Sequence, residues 1–121
     1  PNSGSSASKH ITSVIQLVEP AVGLKIILAA NKKPGSDFEV YYRVSEADAD
    51  ISLVTWTLLT ETSNNPADLN SSVYREYEYL AGGSGGTLPE FVNFQIKIVP
   101  RTDNKAYVPT IKDFRAIALS V

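Results

Sequence analysis

The stretch GLKIILAANKKPGSDFEVYYRV, residues 23–44, holds two β-patterned runs joined by turn-forming residues. Apolar side chains recur at every second position, at Leu24, Ile26 and Leu28 in the first run and at Phe38, Val40, Tyr42 and Val44 in the second. A period of two is typical of strands that bury one face. Pro34-Gly35 suits the centre of a type II turn, because proline presets the first φ angle and glycine accepts a positive second one. We therefore predict a β-hairpin over residues 24–44.

Five further runs have β-type patterns. They are ITSVIQLV (11–18), closed by Glu19-Pro20, VTWTLLT (54–60), YREYEYLA (74–81), FVNFQIKIV (91–99) and TIKDFRAIALSV (110–121). The fourth places Val92, Phe94, Ile96 and Ile98 on one face, and the last has a less regular pattern that indicates a bulge or burial on both faces. No convincing helix separates the runs, although a short one fits residues 45–52 or 66–72. The pattern predicts an all-β fold, an antiparallel β-sandwich of about seven or eight strands, jelly-roll or Ig-like, with at most one short helix.

The chain is expected to contain one domain. Residues 1–9 are rich in Ser, Gly and Asn without apolar periodicity, which indicates a flexible linker or a vector-derived lead-in. Residues 10–121 are predicted to form a single β-sandwich domain. Because the chain contains no methionine, even at position 1, we expect it to be a fragment of a longer protein.

Composition argues against several classes of function. The net charge is −2, with 11 basic and 13 acidic residues spread along the chain, so no basic stripe is available for nucleic acid. No apolar run approaches the roughly 18 to 20 residues that span a bilayer, so no membrane partner is expected. Cysteine is absent, which excludes disulfides and thiolate metal sites within this sequence. We expect no cofactor.

The glycine-rich stretch YLAGGSGGTLPEF, residues 79–91, raises the question of a phosphate-binding loop. Such a loop needs amides that converge at a helix start, and its P-loop form adds Lys and Ser/Thr after the last glycine. Here Thr87 follows the glycines without a lysine, and Pro89 removes an amide. We therefore interpret the stretch as a hairpin connection between the strands at 74–81 and 91–99.

Candidate catalytic and metal-binding residues are few. His10 is the only histidine and lies at the edge of the lead-in, so a serine triad is hard to assemble. Alternate carboxylates at Glu46, Asp48 and Asp50 could supply oxygen ligands to Ca²⁺, but the glycine and distant glutamate of an EF-hand are missing. Glu76 and Glu78 share a strand face, where pairing with cations on a neighbouring strand is the ordinary explanation. We predict no catalytic, cofactor-binding or metal-binding residues and a protein that is not an enzyme.

Aromatic residues raise the question of a sugar-binding platform. Most should be core residues or half-buried cross-strand partners. Trp56, between two threonines, is interpreted as a core anchor, whereas Tyr107 lies in a loop and should be exposed. These two residues are the candidates for contact with a glycan or a partner.

Three segments carry a family resemblance: GLKIILAANKKPGSDFEVYYRV, YREYEYLAGGSGGTLPEFVNFQIKIV and VPTIKDFRAIALSV. Over residues 11–121 the chain resembles virion structural proteins of T4-like marine contractile-tailed bacteriophages, particularly baseplate or tail-associated proteins. Ala81–Gly86, Phe91–Val99 and Pro109–Leu119 match that pattern. The resemblance implies a β-sandwich module with a role in particle assembly and no catalytic residues to carry over. It also implies a location in the virion, in the phage tail or baseplate, after assembly in the host cytoplasm.

Two functions follow as hypotheses. The first is a non-enzymatic structural or assembly module of a phage tail or baseplate protein that contacts other virion proteins or associates with itself. Its candidate contacts are the chain-terminal strands 11–18 and 111–121, whose edges could pair with another chain. The alternative is a carbohydrate-binding module that recognises host surface glycans through Tyr107, Trp56 or the loops.

Overall fold

The computed structural model describes residues 10–32, 36–63, 65, 73–81, 88–102 and 110–120. The lead-in 1–9, the glycines at 82–86, the candidate helix at 66–72 and Tyr107 lie outside the described residues. The strands are β1 (His10–Ile11), β2 (Ile15–Asn31), β3 (Ser36–Ser45), β4 (Thr57–Leu58), β5 (Arg75–Ala81), β6 (Phe91–Thr102) and β7 (Thr110–Ser120). One turn of 3-10 helix spans Ile51–Leu53. The predicted all-β, antiparallel class is confirmed: these strands form a seven-stranded sheet curled into a half-barrel.

The long strand β2 organises the sheet. Ala21 pairs with Phe91 of β6 and with Ser120 of β7, so these two strands lie on opposite edges of β2. Later in β2, Leu24 pairs with Ala81 of β5. The strand β5 lies on the same edge of β2 as β6, beyond the last residue of β2 that pairs with β6. The predicted break at Glu19-Pro20 is wrong, because β2 continues through it. Its register against β6 shifts between Gln16 and Ala21, where a proline without an amide hydrogen costs no ladder bond.

The glycine-rich stretch does not connect a hairpin. Both β5 and β6 run antiparallel to β2 and lie on the same edge of it, one after the other. Between them, Leu88 N donates to Val22 O at 2.8 Å. Because β5 and β6 have the same direction and are not paired with each other in the described part, the hairpin prediction for residues 74–99 is wrong.

The hairpin predicted over residues 24–44 is also wrong, although both of its strands exist. Within the described residues β3 pairs with β6 over its whole length and with β4, and it has no ladder with β2. The first half of β2 lies on the other edge of β6, so β6 separates the two strands. Alternation correctly predicted which residues are buried, but not which strand is the neighbour.

The segment that contains β4 contacts strands on both sides of the curled sheet. The predicted strand 54–60 is reduced to two residues, which pair with β3 at Tyr41 and Tyr42. Leu59 N then donates to Val40 O at 2.8 Å, and three residues later Thr62 N donates to Glu78 O of β5 at 2.8 Å. This short segment therefore contacts both β3 and β5, which closes one side of the curled sheet.

The core lies on the concave face. Its central side chains are Leu24, Ile26, Leu28, Val40, Tyr77, Phe91, Phe94 and Ile96, and β7 covers one side of it with Phe114, Ala116 and Ala118. The predicted inward faces of β2 and β3 are confirmed. In β6 the prediction fails at one end, because Phe91 is buried and Val92 is only half-buried. The bulge predicted in the last strand is present, since its partners in β2 shift register between Ala29 and Ala30.

Candidate protein-interaction surface

The curled sheet is open between its first and last strands. Among the described strands, β1 pairs only with β6 and β7 pairs only with β2. The two strands face a common cleft of about 540 Å³. Its walls are formed by His10, Ile11 and Thr12 on one side and by Ile111, Lys112, Asp113 and Phe114 on the other, with Ile98 of β6 between them. We call this opening, with the strands that border it, the seam.

Exposed apolar side chains are concentrated in two segments of the chain, residues 11–18 and β7. In the described part of the chain nine large apolar side chains are exposed, and six of them lie between Ile11 and Val18 or in β7: Ile11, Val14, Ile15, Val18, Ile117 and Leu119. Residues 15–20 are exposed on both faces except for Leu17, and Val18 is exposed completely. Apolar surface of this kind, grouped on one side, is typical of contacts with another molecule.

One edge of β7 has no partner among the described strands. From Asp113 to Leu119 its pairing with β2 is regular and contains no proline or bulge. Natural edge strands usually carry such features, because a free edge can pair with another chain. Leu119 also lies across Gly23, where an added Cβ would come within 3.2 Å of Leu119 Cδ1, so glycine permits the close approach of β7 to β2 at this point.

A second surface lies on the convex face of β3 and β6. Trp56 lies there, half-buried, with Arg43 Cζ 4.2 Å and Lys97 Nζ 4.9 Å from the centre of its ring. Lys97 Nζ is also 4.6 Å from the ring centre of Tyr41. The interpretation of Trp56 as a core anchor is therefore wrong. A tryptophan between threonines predicts a strand residue, but not the face on which it lies.

Hydrogen bonds hold Arg43 in place. Its Nε and Nη2 donate to Gln95 Oε1 at 2.9 and 2.7 Å, and its Nη1 donates to the carbonyl oxygens of Ser52 and Val54 at 3.4 and 3.3 Å. Gln95 Nε2 in turn donates to Thr12 O at 2.8 Å. This chain of bonds joins the 3-10 turn, β3, β6 and the residue after β1. The alternation of β3 and β6 indicated that Arg43 and Gln95 face outward, but their pairing depends on a register that alternation does not specify.

Charged side chains on the strands form cross-strand pairs. Lys25 Nζ lies 3.5 Å from Glu78 Oε2, and Arg115 Nη2 lies 3.2 Å from Glu76 Oε2. The predicted pairing with a neighbouring strand is confirmed for Glu78, whose partner is in β2, whereas Glu76 reaches across β2 to Arg115 of β7. A hydrogen bond from Tyr41, together with one from Arg101, lowers the pKa of Glu39.

The acidic run after β3 has a structural role at one residue. Asp50 Oδ1 accepts hydrogen bonds from Ser52 N at 3.0 Å and Ser52 Oγ at 2.6 Å, which caps the 3-10 turn. These bonds lower the pKa of Asp50, with a small contribution from Arg43. No group of three His, Cys, Asp or Glu side chains suited to a metal ion occurs among the residues that the structure describes.

The described residues contain no helix with the length and apolarity needed to cross a membrane. Of the two predicted contact residues, Trp56 lies on the convex face, and Tyr107 is outside the described part. His10 lines the cleft of the seam. No protein-family model, no curated protein and no solved structure matches this chain.

Proposed function

We propose that this chain is a non-enzymatic assembly module that joins other protein subunits, or further copies of itself, through the seam. The observation that carries the proposal is that β1 and β7, each with one edge unpaired among the described strands, border one cleft. Six of the nine exposed large apolar side chains in the described part lie in β7 or in residues 11–18, which begin in β1. Backbone edges supply hydrogen bonds to an added strand, and the apolar side chains supply burial. No reacting group is needed for this role.

On the basis of the resemblance to phage tail and baseplate proteins, we propose that the module acts in the virion. It would be a β-sandwich of jelly-roll or Ig-like type, and its partners would be other virion proteins. Of the chain-terminal strands proposed as contacts, Ile11 and Thr12 of 11–18 and residues 111–114 of 111–121 line the cleft of the seam. Among the described strands, β1 and β7 each leave one edge that could pair with another chain.

Sedimentation velocity over a range of protein concentrations tests the proposal. We expect wild-type chain to associate as concentration rises, and a double variant with Ile117→Lys and Leu119→Lys to stay monomeric, because edge lysines oppose strand pairing. Leu53→Lys is a matched control, since Leu53 is 82% exposed and lies outside the seam. It should behave like wild type.

Amide hydrogen exchange is a second measurement that tests assembly through the seam. On association, amides of β7 that face the seam should exchange more slowly, whereas those of the 3-10 turn should not change. A wild-type chain that remains monomeric at about 1 mM, with rapid exchange along the free edge of β7, would contradict assembly through the seam.

Glycan recognition is the second candidate, and the surface position of Trp56 favours it. Arg43 and Lys97 already lie against the indole, which restricts the ring surface left for a sugar. Titration of neutral and acidic oligosaccharides, followed by the emission of the single tryptophan, tests this function directly. Saturable quenching in the wild type, together with loss of the calorimetric binding signal in Trp56→Phe, would support glycan recognition over assembly.

A further inference from the structure

The ammonium group of Lys97 has no acidic partner among the described residues. It lies 4.6 Å from the ring centre of Tyr41 and 4.9 Å from that of Trp56, and it makes no hydrogen bond or ion pair with a described acceptor. Two aromatic rings therefore hold the cation in position through its electrostatic attraction to their faces. Its three N–H donors remain available for an acceptor outside this part of the chain.

A second cation, Arg43, lies beside the same indole but differs in its contacts. Its guanidinium group donates to an amide oxygen and to two backbone carbonyls, none of which is charged. Arg43 thus adds positive charge near Lys97 while its planar fork of donors is largely occupied. Lys97 is the cation that a ligand can reach by hydrogen bonding.

Apolar side chains border Lys97 on both sides along one row of the sheet. In the ladder, Leu58 is opposite Tyr41, Tyr41 is opposite Lys97, and Lys97 is opposite Ile11. Directly paired residues project from the same face of a sheet. Leu58 and Ile11 are 56% and 50% exposed. The cation therefore lies in a row of aromatic and aliphatic side chains.

We propose that the Lys97 surface, formed by Ile11, Tyr41, Trp56, Leu58 and Lys97, binds a glutamate or aspartate side chain of a partner protein, with apolar residues on either side of that acid. One accessible ammonium matches the single charge of a carboxylate. The aliphatic ends of the row match the neighbouring apolar residues of a polypeptide, whereas phosphate and sulfate offer no apolar part to bury. Trp and Tyr, both present in this surface, are also among the residues that dominate binding energy in protein interfaces.

This surface is separate from the seam except at Ile11, which belongs to both. It rests on the proposed function only in taking its partner to be a protein. An extended partner strand could follow the row from β4 to β1, across the direction of the strands. Contact at the Lys97 surface would then determine which partner is accepted, because an acid in the partner satisfies Lys97 and a second cation would be repelled.

The test uses two synthetic capped pentapeptides with the sequences Val-Leu-Glu-Leu-Val and Val-Leu-Gln-Leu-Val. Emission of Trp56, the only tryptophan, reports binding. We expect the glutamate peptide to bind at least about tenfold more tightly than the glutamine peptide. Lys97→Gln should remove that preference, and Lys97→Arg should retain most of it because the charge persists.

Two controls accompany the titration. Lys25→Gln removes one lysine from the other half of the sheet, where it contacts Glu78, and it should leave the preference for glutamate unchanged. Thermal unfolding of each variant shows that the fold is retained. Amide and indole chemical shifts map the contact, and the Trp56 indole signal should move only with the glutamate peptide.

Three outcomes would overturn the inference. They are equal affinity for both peptides, a preference that survives Lys97→Gln, or tighter binding of inorganic phosphate or of an acidic oligosaccharide than of the glutamate peptide. Failure of assembly through the seam would appear instead as a monomeric wild-type chain. The peptide preference would be unaffected by that result, so the two failures are distinguishable.

Discussion

The ammonium group of Lys32 lies 3.3 Å from Glu61 Oε1, although the two residues belong to different sides of the curled sheet. Lys32 directly follows β2, and Glu61 lies in the segment that follows β4. The same ammonium group lies 2.8 Å from Asp37 Oδ1 at the start of β3 and 4.6 Å from the ring centre of Tyr77 in β5. Its side chain is only 13% exposed. One cation thus joins four parts of the chain at one end of the sheet.

Replacement of Lys32 by Met should destabilise the fold by about 1 to 3 kcal/mol, because it leaves Glu61 without its cation in a partly buried position. A double-mutant cycle with Glu61→Gln, measured by urea unfolding, should give a coupling energy of about 1 kcal/mol. Lys25→Met with Glu78→Gln is the matched exposed pair, and its coupling should be smaller. Equal coupling energies in the two cycles would show that Lys32 has no special role.

Tyr79→Phe should leave stability unchanged or increase it by about 1 kcal/mol at neutral pH. The Tyr79 hydroxyl is buried and has no hydrogen-bond partner in the described part of the protein, so its removal ends a desolvation cost. Tyr41→Phe is the control, because the Tyr41 hydroxyl donates to Glu39 Oε1 at 2.8 Å and its loss should be slightly destabilising. A large loss of stability in Tyr79→Phe would reveal a partner for this hydroxyl.

Stability should fall in alkaline solution. Burial, with the nearby charges of Glu61 and Asp37, raises the pKa of Tyr79 above its ordinary value of 10.0. A raised folded-state pKa contributes stability that is complete below the unfolded-state value and is lost as pH rises toward the folded-state value. Urea midpoints of wild type should therefore decrease as pH rises above about 10, and those of Tyr79→Phe should decrease less. Identical slopes would contradict this assignment.

Lys32 adds to the alkaline effect. Burial alone lowers the pKa of Lys32, but its hydrogen bond and charge interaction with Asp37, together with those of Glu61, outweigh burial and raise the pKa above the ordinary 10.5. The corresponding stability is present below that pH and is lost above it. The combined Lys32→Met and Tyr79→Phe variant should therefore have the flattest alkaline profile of the set.

Arg43→Lys should loosen the 3-10 turn. Lysine cannot reproduce the fork that bonds Gln95 together with Ser52 O and Val54 O, so residues 51–54 lose their attachment to β3. We expect amide exchange there to become about tenfold faster, which corresponds to about 1.4 kcal/mol. Arg115→Lys is the control, since Arg115 contacts Glu76 at the surface, away from the 3-10 turn. Unchanged exchange in Arg43→Lys would contradict this role.

Acid should remove the contribution of Glu39, on the convex face, to the stability of the fold. Its folded-state pKa is lowered from 4.5 by hydrogen bonds from Tyr41 and Arg101, so its contribution is present above that value and is lost as pH falls through the folded-state pKa. Glu39→Gln should therefore be less stable than wild type at pH 7 and approach it near pH 3. Thermal midpoints at both values check this, and a constant difference would contradict it.

Alternation along the chain was enough to predict the strand content and most buried positions. Leu24, Ile26 and Leu28 are inward because a period of two places them on one face, whatever strand lies beside them. Alternation did not predict which strands pair with each other. Residues 24–44 and 74–99 both have the sequence pattern of hairpins, but β3 pairs with β6 rather than β2, and β5 and β6 both pair with β2 rather than with each other. Alternation specifies the buried face of a strand and not its neighbour.

The candidate surfaces were predictable to different degrees. Terminal strands are often edges, so the strands beside the seam could be proposed from their position in the chain alone. The Lys97 surface could not be proposed in this way. It depends on Ile11, Lys97, Tyr41 and Leu58 meeting in one row, and a shift of one residue in any of the three pairings would place them on opposite faces.

The position of β2 also has a consequence for folding. Leu24 pairs with Ala81 on one edge and with Ala118 on the other, so the centre of the sheet requires residues from near both ends of this sequence. Pairings between residues so far apart form slowly, because a long stretch of chain must be ordered before they bring any gain. On a ribosome, β2 would emerge early and wait with its apolar side chains uncovered. The second edge of β2 is then paired only after β7 has been made and has docked.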